Sequence, residues 1–487
     1  FEFTDTQGET VYYGNYEFDK ECITNRDRMF DCPQNLREEE MFEVPEWAAN
    51  KVVYQIFPSR FAATEPVDKE LWYKAPITPM DDLHGNLRGI IEHMDDIQNL
   101  GIDVLYMTPI FQSNSCHKYD TTDYYQIDPS FGTTEDLKEL VQKAHERGMK
   151  VVLDAVYNHT GREFFAFADI LENGEKSKYR DWYFIDGFPL KSEWGEIPNF
   201  KCFGYYGGMP KLNLKNPEVE KYITDVACYW IKECDIDGWR LDVGDEISHF
   251  FWKNFRKAVK AVKKDMLIIG EIWHYAGDFL EGDEWDTVMN YPFYLNLIDL
   301  LADEKITVSQ FVQNLGYLKG RLHKNCYPLM WNLIDSHDTA RFLHLCNDNK
   351  KKQHLAAAFQ LLLPGMPMIY YGDEYAMPGA NDPDCRRGMY WDEEYQDKEM
   401  YEWYKRLIQV RKSHACIVEG ELAGIVTEDE EGTVVLIRKN GEETIAMIFN
   451  CSSSAKQFNE YTQKYNLLTE NTFDGNVEGF DAAVIVL

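Results

Sequence analysis

The stretch Gly-Trp-Arg-Leu-Asp at residues 238–242 decides the fold of this chain. It ends an apolar, strand-like run with a carboxylate, and the same arrangement recurs at 266–271 and 327–338, which end in Glu271 and Asp338. Acids at the carboxyl ends of parallel strands meet on one face, and a closed barrel of strands and helices has its active site there. Because no metal cage is evident, these acids favour cleavage of a neutral, poorly reactive bond such as a glycosidic linkage.

Strand-like and helical segments alternate along most of the chain. The predicted strands are residues 52–57, 102–107, 150–156, 236–242, 266–271, 287–289, 327–334 and 366–371. The predicted helices are residues 87–100, 134–147, 217–233, 247–262 and 399–411. Such alternation is typical of a parallel sheet in the α/β class, and eight strands predict a closed (β/α)8 TIM barrel.

Changes in this pattern divide the chain into domains. Residues 46–415 are predicted to form the barrel, and residues 157–213, rich in aromatics and without helical periodicity, an inserted B subdomain after the third strand. Short alternating strands predict a C-terminal antiparallel β domain, a β-sandwich, at 416–487. Residues 1–45 are predicted to be the remnant of an N-terminal β domain and its linker.

Composition excludes several classes of partner. A net charge of −33 argues against binding to nucleic acid or to an anionic membrane, since both require basic surfaces. Eleven cysteines without a regular spacing favour reduced thiols and a cytoplasmic location. We find no apolar run long enough to span a membrane and no secretory signal. The chain begins with Phe1, which leaves open whether a longer N-terminus exists.

The residues around the strand-end acids suggest individual roles. Arg240 and Asp242 are two positions apart on one strand and therefore face the same side. A neighbouring guanidinium favours an ionised carboxylate, which suits Asp242 as a nucleophile. Apolar neighbours such as Trp273 suit Glu271 as a general acid, and in retaining hydrolysis two such groups lie about 5–5.5 Å apart. Asp338 is predicted to hold sugar hydroxyls and to help keep Glu271 protonated.

Histidines and aromatic residues near these strands are further candidates. His159 and His337 each follow a predicted strand, and neutral imidazoles suit sugar hydroxyls, although a single histidine is more often structural. Tyr119 is a candidate for stacking on a pyranose ring, with core packing as the alternative. Four aromatic residues of the insertion either line a sugar cleft or pack the subdomain, and the sequence leaves both readings open: Trp194, Phe203, Tyr205 and Tyr206.

Four segments resemble, in order, the conserved segments of the α-amylase family of retaining glycoside hydrolases: residues 154–159, 238–242, 270–273 and 336–338. The resemblance extends from about residue 52 to the C-terminus. It implies that Asp242 is the nucleophile, Glu271 the acid/base and Asp338 the third carboxylate. The residues that it implies hold the sugar at the cleaved bond are Tyr119, His159, Arg240 and His337.

A narrower resemblance is to the neopullulanase, cyclomaltodextrinase and maltogenic amylase subgroup. Residues 209–213, 243–246 and 381–386 carry it. It implies that Asp382 and Arg386 grip the non-reducing sugar and that Glu246 lies near the leaving group; Trp273 completes the predicted substrate-binding set. The chain departs from the subgroup at residues 244–245, Gly-Asp instead of Ala-Asn, and at Gly388, where proline is usual.

The resemblance also bears on assembly and metals. Subgroup members carry a whole β-sandwich before the barrel that helps them dimerise, whereas residues 1–43 resemble only its last strands. A homodimer and a preference for cyclic substrates therefore stay open. Residues 59–70 lack the Asp-x-Asn-x-Asp cage of calcium-binding relatives, and we predict no required metal and no cofactor.

The preferred hypothesis is a retaining, endo-acting hydrolase of α-1,4-glucosidic bonds in maltooligosaccharides, cyclodextrins or pullulan. One alternative is an exo-acting α-glucosidase or a transglycosylase of the same family. A second alternative is a non-catalytic, amylase-like binding protein, which the intact set of Asp242, Glu271 and Asp338 argues against. Products from cyclodextrin, pullulan and isomaltose distinguish the enzymatic alternatives, because opening a ring requires endo attack.

Overall fold

The computed structural model describes residues 1–4, 8–14, 18–29, 42–192 and 197–487, so the predicted cleft residue Trp194 lies outside the described part. The chain divides into two compact units, Phe1–Phe42 and Glu43–Leu487. The described residues of the first unit form a three-stranded antiparallel sheet, whose strands are Glu2–Thr4, Thr10–Tyr13 and Phe18–Asp19. A short 3-10 turn, Arg26–Arg28, follows the sheet.

Eight parallel strands in the second unit form a nearly closed barrel. In chain order they are β1 (Val53–Ile56), β2 (Val104–Met107), β3 (Lys150–Ala155), β4 (Gly238–Leu241), β5 (Leu267–Gly270), β6 (Thr287–Val288), β7 (Trp331–Asn332) and β8 (Met366–Tyr370). Neighbours in sequence pair from β1 to β6, β8 pairs with both β7 and β1, and a bridge between Met289 and Trp331 closes the ring. The predicted eight-stranded barrel is therefore confirmed.

The strands form because their sequences are short apolar runs that can be buried on both faces. All four residues of β2 and all four of β5 are buried. Inside the barrel, alternate side chains such as Val53, Val152 and Ile269 pack into one cluster with Trp331 and Met368. This packed interior fixes the positions of the strand ends, where the predicted acids lie.

Helices cover the outside of the barrel between successive strands. Their bounds are Pro58–Phe61, Lys69–Trp72, Leu87–Glu92, Met94–Leu100, Thr134–Glu146, Pro217–Cys234, His249–Val262, Tyr291–Leu297, Val308–Arg321, Phe342–Leu345, Lys350–Leu362, Lys398–Ser413 and Cys416–Glu419, with a π-helical turn at Ile298–Ala302. Local caps define several of the starts. Thr133 and Asp136, for example, form a reciprocal capping box.

Two predicted elements differ from the structure. The predicted helix at 87–100 is two helices, because His93 leaves the helical conformation at φ −98° and ψ 11°. The predicted strand at 327–334 begins as the 3-10 turn Tyr327–Leu329, which contains Pro328, and pairs as a strand only at Trp331–Asn332. Proline has no N–H to donate to a neighbouring strand, which accounts for the shorter strand.

The insertion after β3 contains a helix that the sequence reading missed. Phe165–Asn173 is an α-helix of nine residues, although we predicted no helical periodicity there. Phe165 is exposed and Phe167 is buried, so apolar residues lie on different sides of the helix and obscure its period in the sequence. The buried face includes Phe167 and Ile170. Bridges between His159 and Lys211 and between Tyr183 and Leu212 hold both ends of the insertion together.

The C-terminal region forms a six-stranded antiparallel sheet as predicted, with strands Glu421–Glu428, Thr433–Asn440, Glu443–Asn450, Asp481–Val486, Tyr465–Asn466 and Asn471–Thr472. A separate pair, Lys456–Gln457 and Asn476–Val477, packs with it. Among the described residues, no helix combines the length and the apolar character that crossing a bilayer requires. The ten described cysteines form no disulfide with one another, and half of them are buried.

Candidate active site

The predicted acids lie at the carboxyl end of the barrel. Asp242 directly follows β4 and Glu271 directly follows β5. Their main-chain N–H groups continue the strand pairing, since that of Asp242 donates to the carbonyl of Ala155 at 3.1 Å and that of Glu271 to the carbonyl of Leu241 at 3.0 Å. Both side chains therefore start from fixed backbone at neighbouring strand ends.

One buried guanidinium, that of Arg240, contacts three carboxyl groups. Its Nη1 lies 2.9 Å from Oδ1 of Asp242 and 3.1 Å from Oδ1 of Asp154, and its Nη2 lies 3.0 Å from Oε2 of Glu271. Asp154 is opposite Arg240 in the pairing of β3 with β4, so both side chains leave the sheet on the same face. The structure thus brings the predicted nucleophile and the predicted acid to the two nitrogens of one side chain.

The charges in this cluster do not balance, because three carboxyl groups surround a single cation. Burial raises the pKa of Asp242 well above its usual range; Arg240 opposes this rise, and Glu271 and Asp154 add to it. Burial likewise raises the pKa of Asp154 to about 6. The predicted effect of Arg240, which favours the ionised form of Asp242, is present but smaller than the opposing effect of burial on the same pKa.

The carboxyl group of Glu271 is held from two sides. Oε2 accepts a hydrogen bond from the main-chain N–H of Val243 at 2.9 Å, and Oε1 accepts one from the indole of Trp273 at 3.1 Å. Trp273 is 42% exposed and stacks on Tyr291, with the ring centroids 4.0 Å apart. Trp273 therefore both positions the acid and presents an open indole beside it.

A chain of hydrogen bonds connects β1 to β3 through residues of the connections that follow β7 and β2. Gln55 Nε2 lies 2.7 Å from Nδ1 of His337, which places the proton of the neutral imidazole on Nε2. That Nε2 is 2.5 Å from the hydroxyl of Tyr119, which donates to Oδ2 of Asp154 at 3.0 Å. Burial and the nearby Arg386 lower the pKa of His337 well below its usual value, so the ring is neutral.

Tyr119 reaches this position from the turn of a hairpin whose strands are Phe111–Ser113 and Thr121–Ile127. Its ring lies parallel to that of His337, at 2° and a centroid separation of 5.5 Å. The sequence left two roles open for Tyr119, stacking on a pyranose ring or core packing. In the structure, its ring is stacked on a histidine and its hydroxyl is bonded to Asp154.

The third acid, Asp338, is placed by Arg386. Nη2 of Arg386 lies 3.4 Å from Oδ1 of Asp338, and Nη1 lies 2.8 Å from Oδ1 of Asp382. Nε of Arg386 donates to the carbonyl of His337 at 2.8 Å. The structure thus brings Asp338, Asp382 and Arg386 together, and the half-exposed Asp382 forms the outer edge of the group.

Two predicted residues lie on the side of the insertion. Glu246 is in the 3-10 turn Gly244–Glu246 and forms an ion pair with Lys211 of the insertion at 2.6 Å. His159 is 1% exposed, with its Nε2 3.1 Å from the carbonyl of Tyr119 and its ring stacked on Phe203. Burial lowers the pKa of His159 to about 4, so this ring is also neutral.

The sequence reading assigned no role to Asp154, Gln55, Tyr106 or Val243, all of which contact the acids or their partners. Tyr106 donates from its hydroxyl to Oδ2 of Asp154 at 2.7 Å. Asp154 and Gln55 are polar residues within otherwise apolar strands, and that pattern is the signal that would have identified them. The main-chain contact of Val243 has no counterpart in the sequence.

Candidate metal ligands were sought around the acids and elsewhere in the described residues. Within the described ranges, no three His, Cys, Asp or Glu side chains lie close enough to form a metal-ion site. Several carboxyl groups share the guanidinium of Arg240, and neutral imidazoles lie nearby. Such groups suit proton transfer to, and nucleophilic attack on, a neutral ligand rich in hydroxyl groups.

A parallel eight-stranded barrel with these carboxyl groups at its carboxyl end is the architecture of a barrel glycoside hydrolase. The family model described as "Alpha amylase, catalytic domain" matches residues 55–396. The chain belongs to the α-amylase family of glycoside hydrolases.

Several named proteins are similar to this chain over most of its length. A protein named cyclomaltodextrinase from Geobacillus thermopakistaniensis is 44% identical over 454 residues, which cover 92% of this chain and 77% of the relative. A protein named neopullulanase 2 from Thermoactinomyces vulgaris is 42% identical over 456 residues, with coverage of 92% and 77%. A solved structure named cyclomaltodextrinase superposes with a TM-score of 0.90 at 38% identity, covering 98% of this chain and 85% of that one.

Proposed function

We propose that this protein hydrolyses α-1,4-glucosidic bonds within maltooligosaccharides, cyclodextrins or pullulan, with retention at the anomeric carbon. The observation that carries the proposal is the shared guanidinium: Arg240 contacts Asp242 through one nitrogen and Glu271 through the other. This arrangement supports two acids acting on opposite sides of a single bond. Relatives named cyclomaltodextrinase and neopullulanase support the substrate class.

The proposed reaction has two steps. The carboxyl proton of Glu271 passes to the glycosidic oxygen as the bond from C1 to that oxygen breaks, while a carboxylate oxygen of Asp242 forms an ester with C1. Glu271 then takes a proton from water, the water oxygen attacks C1, and the ester bond breaks to restore the Asp242 carboxylate. The first step of the proposed reaction therefore requires a proton on Glu271 and an ionised Asp242.

The remaining residues are proposed to bind the sugar. Asp338 and His337 are proposed to hold hydroxyls of the ring at the cleaved bond, and Asp382 with Arg386 the non-reducing sugar. Tyr119, Arg240 and His159 are proposed to act mainly through the acids and the loops that they hold. Glu246 and the exposed indole of Trp273 are proposed to lie on the leaving-group side.

Substitution of each acid tests the proposal. Asp242→Asn and Glu271→Gln are close in shape to the native side chains, and each is expected to reduce maltotriose hydrolysis by roughly 10³-fold or more with the fold intact by circular dichroism. NMR of the first turnover is expected to show the α-anomer. Near-normal turnover in either variant, or a β-anomer as first product, contradicts the assigned roles.

A substrate panel separates this proposal from its alternatives. An endo-acting enzyme opens cyclodextrin, whereas an exo-acting α-glucosidase does not, and a transglycosylase yields products longer than its substrate. The names of structural relatives do not decide between these alternatives. One relative, named cyclic α-maltosyl-(1→6)-maltose hydrolase and from Arthrobacter globiformis, superposes with a TM-score of 0.84 at 35% identity. Failure to cleave any internal bond, in cyclodextrin, pullulan or a maltooligosaccharide, would refute endo action.

We also propose a cytoplasmic location. A relative named intracellular maltogenic amylase, from Bacillus subtilis, is 41% identical over 420 residues and supports it. Fractionation of cells expressing the native gene tests this proposal, and enzyme found mainly outside the cytoplasm would contradict it. A homodimer remains a proposal as well, which sedimentation of the purified chain tests directly.

A further inference from the structure

A second binding surface lies beside the carboxyl end of the barrel. It is an open groove of about 350 Å³ between the connection that follows β5 and the helices that follow β6. Tyr275 lines it from the connection, Leu295 from the first helix, and Tyr317 and Arg321 from the helix Val308–Arg321. None of the acids discussed above lines this groove.

The aromatic wall of the groove is rigidly built. The guanidinium of Arg321 lies 3.8 Å from the ring centroid of Tyr275 and 5.1 Å from that of Tyr317. The hydroxyl of Tyr275 donates to the carbonyl of Arg321 at 2.9 Å, and Nη1 of Arg321 donates to the hydroxyl of Tyr317 at 3.1 Å. These contacts order three large side chains, while Tyr317 remains 65% exposed. Ordered, amphipathic rings of this kind offer contact area at low cost in conformational entropy.

Two residues that line the groove are close in sequence to the candidate active site. Tyr275 follows Trp273, whose indole donates to Glu271, after a single intervening residue. Pro292 also lines the groove and directly follows Tyr291, which stacks on Trp273 at 4.0 Å. The groove therefore lies within a few residues of the stacked pair Trp273 and Tyr291.

The chemistry of the lining selects a neutral ligand. One acid, Asp299, and one base, Arg321, share the groove with two amides, Asn296 and Asn314, so no net charge is presented to a ligand. Rings with adjacent amide and guanidinium groups suit a molecule with apolar C–H faces and many hydroxyls. A sugar chain has both properties.

We propose that this groove binds glucose units of an α-glucan beyond those held at the cleaved bond. The proposal rests on the proposed function, since it extends the same cleft. Stacking on Tyr317 is its main contact, and Tyr275 and Arg321 hold that ring in place. Longer glucans would thus bind more tightly than maltotriose, because a trisaccharide is too short to fill the cleft and the groove together.

The test measures binding without turnover. In the Glu271→Gln background, Tyr317→Ala is expected to weaken maltoheptaose binding by roughly three- to tenfold in calorimetry and to leave maltotriose binding unchanged. Tyr317→Phe keeps the ring and is expected to retain the affinity for maltoheptaose. Tyr465→Ala removes a comparably exposed tyrosine of the C-terminal sheet and serves as the control.

Three outcomes would overturn the inference. The first is an unchanged affinity of Tyr317→Ala for maltoheptaose. The second is an equal loss of affinity for maltoheptaose and maltotriose. The third is a change in the sedimentation of the variant without a change in affinity. The last outcome would identify the groove as an interface between copies of the chain. Failure of the proposed function is distinguishable, because it shows as residual hydrolysis in Asp242→Asn, whereas the groove is tested by binding alone.

Discussion

The main-chain N–H of Val243 donates to Oε2 of Glu271 at 2.9 Å, and it can do so because Val243 adopts a left-handed conformation, φ 48° and ψ 45°. A β-branched residue rarely takes this conformation, which costs on the order of 1–2 kcal/mol. Strained backbone beside a reacting group is a common feature of functional sites. Here the left-handed conformation directs the N–H of Val243, just after β4, toward the carboxyl group of Glu271, just after β5.

Val243→Gly tests this relationship. Glycine accepts the left-handed conformation without strain, so we expect the free energy of unfolding to change by less than about 1 kcal/mol, as relief of strain offsets lost side-chain contacts. The freed backbone should hold its N–H less firmly, and we expect kcat to fall by about tenfold. Chemical denaturation and steady-state kinetics measure both quantities.

The matched control is Gln463→Gly, which relieves the same kind of backbone strain, φ 63°, among the strands of the C-terminal region. It is expected to leave kcat unchanged. If both variants lose activity equally, a general loosening accounts for the loss and the donor from Val243 is not important.

Arg240→Lys separates charge from geometry in the cluster. Lysine keeps the positive charge but has one nitrogen, whereas the guanidinium reaches Asp242 and Glu271 through different nitrogens. We expect kcat/KM for maltotriose to fall by at least about 10²-fold with the fold retained. Arg256→Lys, at the ion pair with Asp286 near the start of β5, is the control and should keep its activity. Near-native kinetics in Arg240→Lys would show that charge alone suffices.

Tyr119→Phe removes the hydroxyl between Asp154 and His337. Asp154 would keep the hydroxyl of Tyr106, and Nε2 of His337 would lose the hydroxyl of Tyr119 but remain 3.2 Å from Oδ2 of Asp338. We expect kcat to fall by about tenfold with a smaller change in KM, because the ring stays in place while the acid cluster loses a partner. Tyr401→Phe, on an outer helix, provides the comparison. A rise in KM alone would assign Tyr119 to sugar binding only.

His159→Gln should change how stability depends on pH. The folded pKa of His159 is lowered to about 4 from 6.5, so the neutral ring stabilises the fold fully above pH 6.5, and this contribution is lost as the pH falls through 4. Between pH 6.5 and pH 4 the contribution of His159 to the free energy of unfolding falls by roughly 3 kcal/mol in the native chain, and this fall is absent from the variant. Urea unfolding between pH 7 and pH 4 measures the difference in slope. His84→Gln, at an exposed position, is expected to keep the native slope.

The sequence predicted the barrel well because its strands are buried on both faces and therefore read as uninterrupted apolar runs. A carboxylate at the end of such a run also marks the strand's end, as at Asp242 and Glu271. Helix ends were predicted to within a few residues where caps such as Thr133 are present. The break at His93 and the helix Phe165–Asn173 were missed, because tertiary packing decides them and the local pattern does not.

The cluster around Arg240 could be predicted only in part. Spacing on one strand placed Arg240 beside Asp242, but the participation of Asp154 depends on the register between β3 and β4, which the sequence does not display. The same limitation applies to the charge state of Asp242, since the effect of burial is a property of the assembled barrel. The sequence therefore predicts which ionisable groups are in the site, but it does not predict how burial changes their pKa values.

The bridge between Met289 and Trp331 is a narrow seam of the barrel, because β6 and β7 are only two residues long. A hydrogen bond from the side chain of Asn290 to that of Asn332, at 2.8 Å, supports this seam. The sulfur of Met289 also lies 3.4 Å from Nε of Arg240. Breathing of the barrel wall at the seam would therefore displace an atom that touches the guanidinium at the centre of the acids. The seam of the barrel wall is thus in direct contact with the side chain that holds the candidate catalytic acids.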